Sequence, residues 1–225
     1  MKTVKLIESQ LTWQGECVDT GKYMLLLRFK ECDRVEHKKP CVWCDTLVPM
    51  RVKNEADHNI DSIQNIINDA KVGVILSGGE PTWDANYESC KYLLNNLKYS
   101  VANVETNGFR LVELLKEIDL NKNIKFIYSP KIFNQNDLDE TYKNINLIRD
   151  NKRVYLKIVC DNTDLIENKF LEYLHECKFD NSRVFLMPEG KTKEEIIKNA
   201  SHTFDLCEKY KFNFSSREHI IYDFV

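Results

Sequence analysis

The sequence predicts an α/β fold, a partial, open (βα)6-type TIM barrel, from three observations. From residue 72 onward, short runs rich in β-branched and aromatic residues alternate with stretches whose apolar residues recur at helical spacing. Glycine and polar residues follow the strands at regular places, as they do at the functional edge of parallel sheets. No Pro/Gly/Ser-rich linker and no internal repeat interrupts the 225 residues, which read as one domain, 1–225.

The elements follow in order. KYMLLLRFK (22–30) is a strand that runs straight into a cysteine-rich segment, and HNIDSIQNIINDA (58–70) is a helix from the spacing of Ile60, Ile63 and Ile67. VGVIL (72–76) is a buried strand, followed by a helix carrying Tyr87, Cys90, Leu94 and Leu97. VANVE (101–105) precedes a helix with Leu111, Leu114, Leu115 and Ile118, and IKFIYS (124–129) one with Leu138, Tyr142, Ile145 and Ile148. VYLKIV (154–159) leads to Ile166, Phe170 and Leu174, and RVFLM (183–187) to Ile196, Ala200, Phe204 and Cys207. A final apolar strand carries His219. About six βα units result, too few for the eight of a closed barrel. Strand–helix alternation implies parallel neighbours and right-handed crossovers, which bring successive loops to one edge.

Composition narrows the function classes. With 43% apolar and 30% charged residues the chain is globular in composition. No run approaches the ~20 apolar residues that span a bilayer, and MKTVKLIESQ is unlike a secretory leader. A cytoplasmic protein with no membrane association is expected. Net charge is −3 and lysines alternate with acids, as in KTKEEIIKN, so no basic field for direct nucleic-acid binding is visible. In a reducing compartment eight cysteines argue for metal ligation or burial rather than a disulfide scaffold.

Three of those cysteines lie in "CDRVEHKKPCVWCDT", residues 32–46. Cys41 and Cys44 are spaced to reach one metal centre, and Cys32 can return through the intervening loop as a third thiolate. Two chemistries meet that pattern. His37 as fourth ligand completes a structural Cys₃His zinc site, whereas three thiolates alone suit a 4Fe–4S cluster with one iron open to a small molecule. Cys90, Cys160, Cys177 and Cys207 fall on apolar faces or strand ends and read as small core hydrophobes. Cys17 sits in a loop with no single reading.

Polar groups gather at four strand ends: Ser77-Gly78-Gly79-Glu80-Pro81, Glu105-Thr106-Asn107-Gly108, Ser129-Pro130-Lys131 and Pro188-Glu189-Gly190. Each is also ordinary turn chemistry. With the cysteine segment after an early strand and SGGEP after the next, the chain resembles the radical S-adenosylmethionine superfamily, whose fold is a full or partial (βα)6 barrel. Within it, WQGE (13–16), LLRF (26–29), CVWCDT, SGGEP, ETNG, SPK, MPEG (187–190) and REH (217–219) are similar to the 7-carboxy-7-deazaguanine synthase family. The chain departs from the usual pattern in its C-x8-C-x2-C spacing, in Cys17 where the family's QGEG has glycine, and in Lys30-Glu31 before the first cysteine.

The resemblance implies that Cys32, Cys41 and Cys44 ligate a 4Fe–4S cluster and that Gly79, Glu80, Ser129, Pro130 and Lys131 contact S-adenosylmethionine. It implies Mg²⁺ on Thr46, and pterin or carboxylate recognition by Trp13, Gln14, Gly15, Glu16, Arg28, Ser77 and His219. The reaction implied is a lyase step from 6-carboxy-5,6,7,8-tetrahydropterin to 7-carboxy-7-deazaguanine with loss of ammonia. A flavodoxin or ferredoxin would donate electrons, and a homodimer is expected. Alternatives stay open for single residues: Thr46 as a helix N-cap, Arg28 paired internally, Glu16 at the surface, His219 satisfied in the core. For the whole chain, the alternatives are another radical S-adenosylmethionine reaction, such as glycyl-radical activation of a protein, or a zinc-stabilised interaction module.

Overall fold

The computed structural model describes residues 2–44, 46, 53–119 and 121–224. Asp45 of the CVWCDT motif lies outside the described residues. Two compact units are distinguished, Met1–Gln14 with Gly21–Phe126, and Gly15–Thr20 with Ile127–Val225.

The first unit contains β1 (Thr3–Leu6), β2 (Glu8–Trp13), β3 (Tyr23–Phe29), α1 (Asp33–Glu36), β4 (Ala56–Asn59), α2 (Ile60–Ala70), β5 (Gly73–Gly78), α3 (Asp84–Asn96), β6 (Ala102–Thr106) and α4 (Leu111–Glu117). β7 (Ile124–Tyr128) begins in this unit and ends in the other. β2 and β3 are antiparallel, whereas β3–β5 and β5–β6 are parallel. Met24, Leu25, Leu26, Leu27 and Phe29 of β3 are all buried, the near-continuous apolar run of a strand covered on both faces. Burying each of these side chains contributes about 1.5–3 kcal/mol before chain entropy is counted. Arg28 interrupts the run at the end that leads into the cysteine segment.

The second unit contains the end of β7, α5 (Gln135–Ile148), β8 (Val154–Cys160), a π-helical turn at Leu165–Phe170 leading into α6 (Leu171–Glu176), a 3₁₀ turn at Asn181–Arg183, β9 (Val184–Pro188), α7 (Lys193–Tyr210), β10 (Asn213–Phe214) and α8 (Glu218–Ile221). β8–β9 and β9–β10 are parallel. The Thr192 side chain accepts from the Glu195 N–H, and the Glu195 carboxylate reaches back to the Thr192 N–H, so a reciprocal cap starts α7.

The expected strands are present as β3 and β5 through β9, with ends shifted by one or two residues. Three local differences have physical causes. The helix expected from residue 58 starts at Ile60, because His58 and Asn59 pair with β1 and the Asn59 side chain caps the helix by accepting from Asp61 and Ser62 N–H groups. His219 lies in the short helix α8 rather than in a terminal strand. Phe204 stays 51% exposed on α7 and stacks on Phe214 at 4.0 Å instead of entering the core. Among the described residues no helix is long and apolar enough to cross a membrane.

Candidate active site

In the first unit the chain leaves β3 under close restraint. Gly79 N–H donates to the Phe29 carbonyl at 2.8 Å, and Glu80 N–H to the Glu31 carbonyl at 2.7 Å. The Asn86 side-chain amide donates to the Glu31 and Glu80 carbonyls, both at 2.8 Å. A Cβ on Gly79 would lie 2.0 Å from the Glu31 oxygen, so only glycine admits this approach. The preceding Gly78 has φ +107°, a second reason for glycine at the end of β5. The glycine pair therefore fixes the backbone that delivers Cys32.

Glu80 is buried at 2% exposure. Its Oε1 accepts from Thr82 N–H at 2.9 Å, Thr82 Oγ1 at 2.7 Å and Thr106 Oγ1 at 2.6 Å, while Oε2 accepts from Asn107 N–H at 2.6 Å. Burial pushes its pKa up, against the hydrogen bonds from Asn107, Thr106 and Thr82 that favour the carboxylate. Asn107 Nδ2 in turn donates to Asp33 Oδ1 at 2.6 Å, and that oxygen also faces Cys32 Sγ at 3.7 Å. Burial first, and the Asp33 charge second, push the Cys32 thiol up to about 12.

Cys32, Cys41 and Cys44 form no disulfide and are partly exposed, and Cys44 N–H closes a turn onto the Cys41 carbonyl at 3.2 Å. As a donor set, three cysteine thiols on one segment fit an iron–sulfur cluster. They are not gathered: among the described residues no three Cys, His, Asp or Glu side chains stand close enough to hold a metal ion. The same holds for the zinc alternative, since His37 meets the Trp83 ring edge-on at 5.7 Å.

Arg28 pairs with Glu8, its direct neighbour across β2 and β3, and Glu8 also binds Lys53. Arg28 Nη1 donates to Thr46 Oγ1 at 2.9 Å, so Thr46 is buried beneath a guanidinium. That contact does not fit a divalent cation on the Thr46 hydroxyl, because the two positive charges would repel. Ser77 lies opposite Arg28 in the β3–β5 register and is half-buried. Gln14 is buried and donates to Glu105 at 3.1 Å, whereas Trp13 is 50% exposed with Tyr23 at 5.0 Å.

The second unit holds another polar group of candidates. Glu16 is buried; it accepts from Lys157 through Oε2 and from Arg217 Nε through Oε1 at 3.0 Å, with His219 Nε2 at 3.8 Å. It is thus neither a surface residue nor an isolated charge, and His219 is oriented beside a carboxylate rather than in an apolar core. Arg217 Nη1 also donates to the Gly190 carbonyl at 2.6 Å. Gly15 lies so close to His219 that a Cβ there would stand 2.5 Å from Nδ1. Cys17, at φ +57°, takes the left-handed backbone that a glycine adopts without cost, and its N–H donates to Ser215 Oγ at 2.7 Å. After β7, Lys131 Nζ donates to Ser129 Oγ at 2.8 Å, folding the SPK turn on itself.

Sequence reasoning missed Asp33, Thr82, Asn86, Asn107, Lys157 and Arg217 as members of these networks. Lys157 had a signal: a lone charge in the middle of an apolar strand, like Arg28. Asp33, Asn107 and Arg217 lay inside quoted motifs without roles. Thr82 and Asn86 had no sequence signal.

No protein-family model matches the chain, and no curated protein matches it. Solved structures do. QueE from Escherichia coli superposes with a TM-score of 0.60 at 18% identity, covering 96% of this chain and 95% of that one. The likeness shows the fold. It is an α/β fold with a mostly parallel sheet, as expected for the partial (βα)6-type barrel. Streptococcus suis SuiB, crystallised with its precursor peptide SuiA, matches with a TM-score of 0.56 at 16% identity, over 88% of this chain and 50% of that one.

Proposed function

We propose that this protein is a radical S-adenosylmethionine lyase that converts 6-carboxy-5,6,7,8-tetrahydropterin into 7-carboxy-7-deazaguanine and ammonia. The observation that carries the reading is the clamp of Gly79, Glu80 and Asn86 on residues 29–31, which delivers the first of three cysteines on one segment beside a glycine-rich strand end. The ordered motif set and the fold shared with QueE over nearly both full lengths support it.

Cys32, Cys41 and Cys44 would hold the 4Fe–4S cluster, with S-adenosylmethionine beside Gly79. Together, when bound, these groups supply one-electron chemistry able to remove a hydrogen atom from carbon. The chain's own residues bind and orient. Lys157 and Arg217 hold Glu16 as an acceptor for the amino and imino edge of a pterin, and His219 stands beside it. Gln14, fixed by Glu105, offers an amide, and Arg28, held by Glu8, offers a cation to a carboxylate. Trp13 presents an exposed ring for stacking.

Anaerobic reconstitution with iron and sulfide, followed by S-adenosylmethionine, dithionite and the carboxytetrahydropterin, tests the reading. Formation of 7-carboxy-7-deazaguanine with release of ammonia is the expected result. Cleavage of S-adenosylmethionine without that product would point to another radical reaction, such as activation of a partner protein. A colourless protein with one tightly bound zinc would point to an interaction module.

A further inference from the structure

We infer that Asn107 is a positioning residue for Cys32, acting through Asp33 and itself held by Glu80. The inference deepens the proposed function, on which it rests only for what Cys32 finally ligates. Four links in the first unit carry it. Glu80 Oε2 fixes the Asn107 backbone at 2.6 Å, and the Asn107 amide fixes Asp33 Oδ1 at 2.6 Å. Asp33 directly follows Cys32 and is itself buried at 8% exposure, with its Oδ1 turned to the thiol at 3.7 Å. Asn107 Oδ1 accepts from Phe109 N–H at 3.0 Å, so the amide cannot flip without losing a bond at each end.

The two halves of the cysteine segment are held differently. Residues 29–33 are tied to the ends of β5 and β6 by the Gly79, Glu80 and Asn107 donors and to α3 by Asn86. Val35 to Pro40, which lead to Cys41, are exposed. Among the described residues no three ligating side chains are gathered, and of the three cysteines Cys32 is the one whose flanking residues these donors hold. The four hydrogen bonds to the Glu80 carboxylate come from Thr82, Thr106 and Asn107, so Glu80 holds the residue that in turn holds Asp33. The long spacing between the first and second cysteines makes such an anchor necessary, since a longer loop leaves the first ligand less constrained by the pair at Cys41 and Cys44.

The test uses the full-length, metal-free protein and needs no turnover. Wild type, Asn107→Ala and Asp33→Asn are alkylated with iodoacetamide, and modification of each cysteine is followed by peptide mass, with partly exposed Cys177 of the second unit as internal reference. Asn107→Ala is expected to change the Cys32 rate at least fivefold relative to Cys177 while Cys41 and Cys44 move less than twofold. It is also expected to lower bound iron on reconstitution. Asp33→Asn keeps an oxygen acceptor for Asn107 but loses the carboxylate charge beside the thiol, so it is the reference against which Asp33→Ala, which loses both, is read. If Asn107→Ala does not fold, Asp33→Ala reads the same link from its other end, with the same expected Cys32 change measured relative to Asp33→Asn. An unchanged Cys32 rate in the folded variant overturns the relay. A Cys32-specific change in a protein that binds no iron supports the relay and removes the proposed function instead.

Discussion

Arg217 Nε donates to Glu16 Oε1 across 3.0 Å, joining two buried residues 201 positions apart in the chain. Lys157 meets the other oxygen of the same carboxylate. Desolvating three charges is costly, and the geometry recovers that cost only while the carboxylate is present. Glu16→Ala is therefore expected to destabilise the protein by about 3–5 kcal/mol, read as a lowered urea midpoint, because it leaves two buried cations without their shared acceptor. Glu16→Gln should cost less, and a loss below about 1 kcal/mol for Glu16→Ala would mean the cluster is not organised around that residue.

Glu8 provides a pH test in the first unit. Burial alone would raise its pKa, but Lys53 and Arg28 outweigh burial and hold it below its ordinary value of 4.5. A carboxylate depressed in the folded state stabilises above its unfolded pKa and loses that contribution as pH falls through the folded value. Wild-type unfolding free energy should decline as pH falls below about 4.5, and the Glu8→Gln variant should decline less over the same window. Urea titrations of both proteins at neutral and acidic pH measure the difference.

A methyl group on Gly79 has nowhere to go, since the nearest atoms are the Glu31 carbonyl oxygen at 2.0 Å and its carbon at 2.6 Å, both backbone. Gly79→Ala should cost roughly 1–3 kcal/mol, as overpacking against unyielding atoms does. It should also displace residues 30–32, so iron retained after reconstitution should fall even at temperatures where the variant is folded.

The cysteines divide by role. Cys32→Ser, Cys41→Ser and Cys44→Ser should each abolish retention of iron and sulfide. Cys90 is fully buried in α3, so Cys90→Ala should retain full iron content while losing about 1–2 kcal/mol of stability from the small void. Metal analysis beside thermal melting of the four variants separates the two classes.

Much of the fold was legible because the signals are local. The Leu25–Leu27 run and the strands at VGVIL and VYLKIV announce buried parallel strands, and Ile63 and Ile67 announce a helix face. His58 and Asn59 were misplaced because their partners in β1 lie more than fifty positions away, and pairing with β1 together with the Asn59 cap outweighed helical spacing. His219 was placed in a strand because apolar Ile220 and Ile221 carry no periodicity over so short a run; a single helical turn forms there instead. At the site, cysteine spacing and the glycine pair identify the loops, but not that Glu80 is consumed by Thr82, Thr106 and Asn107, or that Arg28 covers Thr46. Those contacts depend on which strand ends become neighbours, which no single motif encodes.

The proposed reaction removes only ammonia from the substrate, so product and substrate are at the same overall oxidation level and S-adenosylmethionine need not be consumed. The most direct measurement supplies reconstituted protein, with dithionite, a tenfold excess of the carboxytetrahydropterin over S-adenosylmethionine. The predicted result is 7-carboxy-7-deazaguanine in excess of the S-adenosylmethionine added, with no matching accumulation of 5′-deoxyadenosine. Absence of that product from protein carrying its full complement of iron and sulfide would contradict it.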